Sequence, residues 1–174
     1  MNDYKSYLTS LDQWMEYYGF ENVPLQEGLE VDRMYRRSRV EATKFGKVDC
    51  YSFIKHVPDE TGAEYAKSYS DGLFNYAYSH RSGGAPLGFG AMLVVYPVLV
   101  VNNISNVLYE FSKHYCPKHF SATEFPSVLN LSSGDVYYYP TTPVWGYAYY
   151  ANYRRESQRY FSPNAWRQTS GGEQ

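Results

Sequence analysis

The sequence predicts one domain of the α+β class, a single mixed β-sheet of about five strands with helices on both faces. Three observations carry this expectation. Residues 88–101, from Gly88 to Val101, form a nearly unbroken apolar run. The run is rich in β-branched side chains, which suit a pleated surface, and its continuity marks a strand covered on both faces. Elsewhere apolar residues recur every three or four positions, the period of an amphipathic helix. These helical stretches fall between strands, so the connections must cross the sheet. The expected element order is α-β-β-α-β-α-β-β-α. The domain covers residues 1–162, and residues 163–174, which carry Gly, Ser and Gln, read as a loose C-terminal tail.

The first helix is expected over residues 3–18, where Leu8, Leu11, Trp14, Met15 and Tyr18 share a face and Gly19 can end it. Asn22 and Pro24 mark a loop over residues 20–30. Residues 31–43 and 47–56 read as two strands joined around Lys44-Phe45-Gly46. A three-residue turn with Gly46 in the left-handed region spares Phe45 a positive φ. Paired residue numbers then sum to 90: Val40 faces Cys50, Ala42 faces Val48 and Arg36 faces Ile54, while Glu41 faces Asp49, Arg39 faces Tyr51 and Arg37 faces Phe53.

Thr61 and Glu64 fit a capping box for a second helix ending near Arg81, with Gly83 and Gly84 behind it. The apolar run follows as the central strand. Its Pro97 cannot donate to a ladder, so a bulge or a partnerless N–H direction is expected there. Asn102 or Asn103 can cap a third helix carrying Ile104, Val107, Leu108 and Phe111, and Pro117 prevents its continuation. Residues 126–131 and 136–139 read as a second hairpin around Ser132-Ser133-Gly134-Asp135, and residues 145–161 as a last helix.

Composition narrows the function classes. The 174 residues carry a net charge of −2, so bulk electrostatics favour neither nucleic acid nor an anionic membrane. Two cysteines, Cys50 and Cys116, are too few for a disulfide framework. The N-terminal residues lack the basic-then-apolar pattern of a signal peptide, and a cytoplasmic location is the expectation. The 21 tyrosines stand out. Tyrosine joins an apolar ring to a polar tip, which serves both half-buried core rims and binding surfaces.

Four stretches could carry chemistry. In the expected register Glu41 and Asp49 sit across from each other beside Arg37 and Arg39, and paired carboxylates in such a setting could hold a divalent metal for hydrolysis or phosphodiester cleavage. In outline the element order resembles restriction-endonuclease-like domains. Their acid-x-Lys triplet is missing, since Asp49-Cys50-Tyr51 ends in tyrosine and Glu41-Ala42-Thr43-Lys44 has the wrong spacing. His114, Cys116 and His119 put metal-ligand types within six residues, without a standard zinc spacing. The glycines of residues 82–90 lie between a helix and a strand, the wrong order for a phosphate cradle. In the last helix Tyr153, Arg154, Arg155 and Arg159 combine rings with guanidinium groups, a pattern that can stack on a partner protein or on bases. No catalytic set is complete. The leading expectation is therefore a non-enzymatic interaction module with a Tyr/Arg-rich surface, and the rival is a metal-dependent hydrolase or nuclease-like enzyme centred on Glu41 and Asp49.

Overall fold

The computed structural model describes residues 3–41, 46–81, 87–88, 90–142 and 147–171. It has the expected α+β class, with more strands than the sequence suggests. Helix α1 (Tyr4–Tyr17) buries Tyr7, Leu11 and Met15 along one stripe. Asp3 caps it by accepting from the N–H groups of Lys5 (2.8 Å) and Ser6 (3.3 Å), and Gly19, at φ +76°, supplies the left-handed residue that ends it. The chain continues through β1 (Glu21–Asn22), β2 (Arg33–Glu41), β3 (Gly46–His56), α2 (Ala63–His80), β4 (Ala91–Val101), α3 (Asn106–His114), β5 (Lys118–His119), β6 (Ala122–Glu124), β7 (Ser127–Asn130), β8 (Asp135–Tyr138), α4 (Tyr147–Phe161) and α5 (Pro163–Gly171).

The eight strands form one sheet in the order β1-β2-β3-β4-β6-β5, with β7 also paired to β4 and β8 to β7. The apolar run is its centre. β4 is parallel to β3 on one side and to β6 and β7 on the other, and Leu93 to Val101 are all buried. Pro97 explains why two short strands, rather than one, cover that second side. Val95 and Val101 accept from the N–H groups of Phe125 (2.8 Å) and Leu131 (2.9 Å), so the odd-numbered residues of β4 bond in that direction. The missing N–H of Pro97 therefore faces the interruption at Phe125 and Pro126, and the ladder breaks where no donor exists.

Helices cover both faces. α2 and α3 pack Leu73, Phe74, Ala77, Leu108 and Phe111 against Phe53, Leu93, Val95, Leu99 and Val101. α1, α4 and α5 pack Tyr7, Leu11, Tyr153, Tyr160, Phe161 and Trp166 against Val94, Tyr96, Val98 and Val100. Fully burying one such large side chain contributes about 1.5–3 kcal/mol. Most tyrosines of this interior end on a partner. Tyr7 donates to the Phe161 carbonyl (3.2 Å), Tyr35 to Asp12 (2.6 Å), Tyr51 to the His80 carbonyl (2.7 Å) and Tyr96 to Glu156.

Several expectations need correction. The expected loose tail at 163–174 forms α5 over Pro163–Gly171, because the Trp166 ring, only 3% exposed, seats between Tyr7 and Trp14. Ser105, rather than Asn102 or Asn103, caps α3, accepting from the Leu108 N–H at 3.3 Å. Thr61 donates to the Pro58 carbonyl, and α2 starts without a side-chain cap. The first hairpin pairs with residue numbers summing to 87, as in Arg37 with Cys50, Ser38 with Asp49 and Glu41 with Gly46. Gly46 is seated so close to Gly90 that a Cβ there would lie 2.1 Å from the Gly90 carbonyl oxygen. An odd sum in place of an even one exchanges the faces of one strand relative to the other.

Candidate functional site

The register dissolves the proposed acid centre. Positions 41 and 49 lie on opposite faces of the pleat, Glu41 beside Gly46 and Asp49 beside Ser38. Asp49 is buried and faces Arg36, whose Nη2 is 3.8 Å from Asp49 Oδ1. Arg37 points the other way into the α1 side. It donates to the Tyr18 carbonyl (2.8 Å) and the Tyr160 hydroxyl (3.1 Å), with its guanidinium 4.3 Å from the centre of the Phe20 ring. Arg39 pairs with Val48 on that same face, away from Asp49. The four residues named for a metal-dependent active site thus do not converge.

His114, Cys116 and His119 also diverge. His114 Nε2 is 3.1 Å from Glu110 on its own helix, the Cys116 thiol turns toward the Glu124 carbonyl (3.7 Å), and His119 Nε2 reaches the Glu124 carboxylate (2.9 Å). Among the described residues no group of three His, Cys, Asp or Glu side chains could hold a metal ion. Of the glycine loop at residues 82–90, only Leu87, Gly88 and Gly90 belong to the described residues.

Glu124, which the sequence reading did not single out, is, along with Asp49, a buried acid of the interior. It is fully buried on the α2 side of β6. Ser70, equally buried, donates to Oε1 at 2.5 Å, and His119 donates to Oε2 while stacking on Phe74 with ring centres 3.7 Å apart. Burial pushes this carboxyl above the ordinary glutamate range, while the Ser70 and His119 hydrogen bonds pull it back and Asp71 pushes it further up. With both Ser70 and Glu124 shut off from solvent, the group presents no reachable nucleophile or base. It ties α2, β5 and β6 together.

The last helix divides by exposure. Tyr153 is interior, at 1% exposed, and its hydroxyl accepts from Thr123 Oγ1 at 3.1 Å. It cannot touch a partner, which corrects its place in the expected binding set. Arg154 is tied to residues 141 and 142, donating to the Thr141 carbonyl (3.3 Å) and Thr142 Oγ1 (2.8 Å). Arg155 and Arg159 are exposed.

Arg159 borders an aromatic surface that belongs to α1. Trp14, Tyr17 and Tyr18 lie at the end of that helix, where the buried stripe of Tyr7, Leu11 and Met15 leaves them beside or outside the core. Tyr17 is 69% exposed, and Trp14 and Tyr18 are half-buried. The Tyr17 ring stands nearly perpendicular to both neighbours, at 79° to Trp14 and 77° to Tyr18, with centres 5.6 and 5.1 Å apart. Trp14 rests on the buried Trp166, and Tyr18 on Tyr160. Partial burial raises the Tyr18 hydroxyl pKa, and the Arg159 guanidinium nearby lowers it. The sequence marked Trp14 and Tyr18 as core residues. The clue to the surface was Tyr17, which falls off the helix's apolar stripe.

A second apolar feature, a groove of about 750 Å³ between α2 and α3, is lined in part by Val107, Phe111 and Tyr115. Several of its polar groups are engaged: Lys67 with Glu64, His114 with Glu110 and Tyr115 with Asp71. The α1–α4 surface differs in that Trp14, Tyr17, Tyr18 and Arg159 make no side-chain hydrogen bond among the described residues. Among the described residues no helix is long and apolar enough to cross a membrane. No family model matches the chain, and neither a curated protein nor a solved structure is significantly similar to it.

Proposed function

We propose that this chain is a non-enzymatic interaction module that binds a protein partner through the surface formed by Trp14, Tyr17, Tyr18 and Arg159. One observation carries the reading: three adjoining aromatic rings and an exposed arginine keep their hydrogen-bonding tips unengaged, while the tyrosines of the interior mostly spend theirs on internal partners. Trp, Tyr and Arg dominate interface hot spots because they bring large contact area and polar tips at low cost in side-chain freedom. A net charge of −2 supports a protein over a nucleic acid as the partner. The dispersal of Glu41, Asp49, Arg37 and Arg39 supports a binding role over metal-assisted hydrolysis.

The test is a comparison of retained partners. Tyr17→Ser and Arg159→Glu should each weaken retention of a partner by roughly 30-fold, the equivalent of a hot-spot loss of about 2 kcal/mol. Lys113→Glu, on the opposite side of the sheet, should leave retention unchanged. Equal retention by all the variants would remove this surface from consideration.

A further inference from the structure

We propose that the open edge of β2 is a self-association surface, on which two copies of this chain join β2 to β2 in opposite directions about a twofold axis at Val40. The inference does not rest on the interaction reading above. Along β2 the neighbouring strand β1 pairs with Tyr35 and Arg36 alone. The Val23 N–H donates to the Met34 carbonyl (2.8 Å), and Glu21 pairs with Arg36, so the even-numbered residues of β2 turn their backbone groups toward this edge. Ser38 and Val40 therefore each hold an N–H and a C=O at the edge beyond β1, where no strand pairs with them among the described residues. Both residues are exposed, Val40 by 80%. An edge with a row of backbone donors and acceptors is a template for another strand.

The order of charges along the edge selects the occupant and its register. When two copies of one strand pair about a twofold axis, one residue faces its own copy. Centred on Ser38, the pair needs the outward groups of Arg36, which Glu21 already takes. Centred on Arg39 or on Glu41, it sets two like charges directly opposite each other, which is destabilising. Centred on Val40, it sets Arg39 of each copy opposite Glu41 of the partner subunit, so both charged pairs attract. A second copy of this chain is thus an occupant whose charges match the edge, and in one register only.

Backbone geometry favours the same centre. Val40 turns its N–H and C=O to the edge, so the two copies of this residue exchange both hydrogen bonds. Residues 39 and 41 then face each other as pairs without ladder bonds between them, in which Cα atoms are about 4.5 Å apart and side chains come closest. The two Val40 side chains meet on the other face of the pleat, and each loses contact with water there. The contact is the same patch on both copies, so the assembly closes at two. Few residues take part, which makes the dimer a weak one.

The experiment is sedimentation equilibrium of the full chain from about 10 μM to about 1 mM. The expected result is a reversible monomer–dimer equilibrium with no larger species. Arg39→Glu and Glu41→Arg each turn both attractive pairs into like-charge pairs, so each variant alone should dimerise at least about tenfold more weakly. An equimolar mixture of the two brings opposite charges together again and should associate as the wild type does, as should the double variant Arg39→Glu/Glu41→Arg. This recovery separates a lost contact from a misfolded chain. Tyr17→Ser, on the α1 surface, should dimerise like the wild type. A wild type that stays monomeric at about 1 mM, single variants that dimerise as well as the wild type, or a mixture no stronger than either variant alone overturns the proposal. Loss of the dimer in Tyr17→Ser overturns it too, since it moves the contact to α1.

Discussion

Replacing Ser70 by alanine should destabilise the protein by an amount that grows with pH. The hydroxyl lost is the one that donates to Glu124 at 2.5 Å, with both residues fully buried. When Glu124 is ionised, removing this donor costs about 1.5–3 kcal/mol, because a buried charge is left one hydrogen bond short. When Glu124 is protonated, the bond is between neutral groups and its loss costs about 0.5–1.5 kcal/mol. Burial holds the Glu124 carboxyl above the ordinary range in the folded state. Between the unfolded value, about 4.3, and the raised one, the folded state binds more protons, so this group's contribution to stability falls as pH rises through that window. Ser70 favours the ionised form, so Ser70→Ala lifts the folded-state pKa further and extends the window upward. Urea denaturation of both proteins from about pH 4 to pH 8 should show the penalty widening by about 1 kcal/mol. A penalty that is flat across this range, or a variant as stable as wild type at the upper end, would refute the account of Glu124 as a carboxylate kept charged in the interior by its donors.

Arg37→Leu should lower the melting temperature by roughly 5–10 °C, since it removes two hydrogen bonds from a buried guanidinium, and a chain of this size shifts about 2–4 °C per kcal/mol; calorimetry showing no change would refute its role as the tie between β2, the end of α1 and Tyr160. Burial pushes the Cys116 thiol up to about 11, so at about pH 8 a disulfide reagent should label it more than about 100-fold more slowly in the native protein than in the unfolded one. Labelling followed by mass spectrometry separates Cys116 from Cys50, and equal native and unfolded rates at Cys116 would contradict the packing around it.

The elements that were legible in the sequence are those whose period is their whole explanation. β4 is apolar throughout because it is covered on both faces, and α1 shows its stripe because one side alone is buried. The hairpin register was hidden for the same reason that β4 was plain. In β3 the seven residues Val48 to Ile54 are all buried, so alternation has no polar side by which to count. Arg37 looked like a surface residue because the pairing of its head with Tyr18 and Tyr160 is a contact over long sequence separation. Helix α5 was missed because one residue, Trp166, supplies most of the reason for it, and a lone tryptophan among Gly, Ser and Gln has no period. Glu124 lay in a stretch too short to read, and its partners Ser70 and His119 come from other elements. The interaction surface was half legible. Arg159 was named from the last helix, while the rings that accompany it sit at the far end of the chain.

The outer rim of β2 bears on how copies of this chain behave in concentrated solution. β1 covers only Tyr35 and Arg36 of a nine-residue strand, which leaves the stretch toward Glu41 without a neighbour among the described residues. Val40, 80% exposed, would suit edge-to-edge growth of the sheet between molecules. Arg39 is exposed on the same stretch, so two such strands laid side by side in opposite directions, in the register that sets it against its own copy, would bring like charge against like charge. A net charge of −2 gives the whole molecule little mutual repulsion. Resistance to edge-to-edge assembly along this stretch in that register thus falls largely to one cationic side chain.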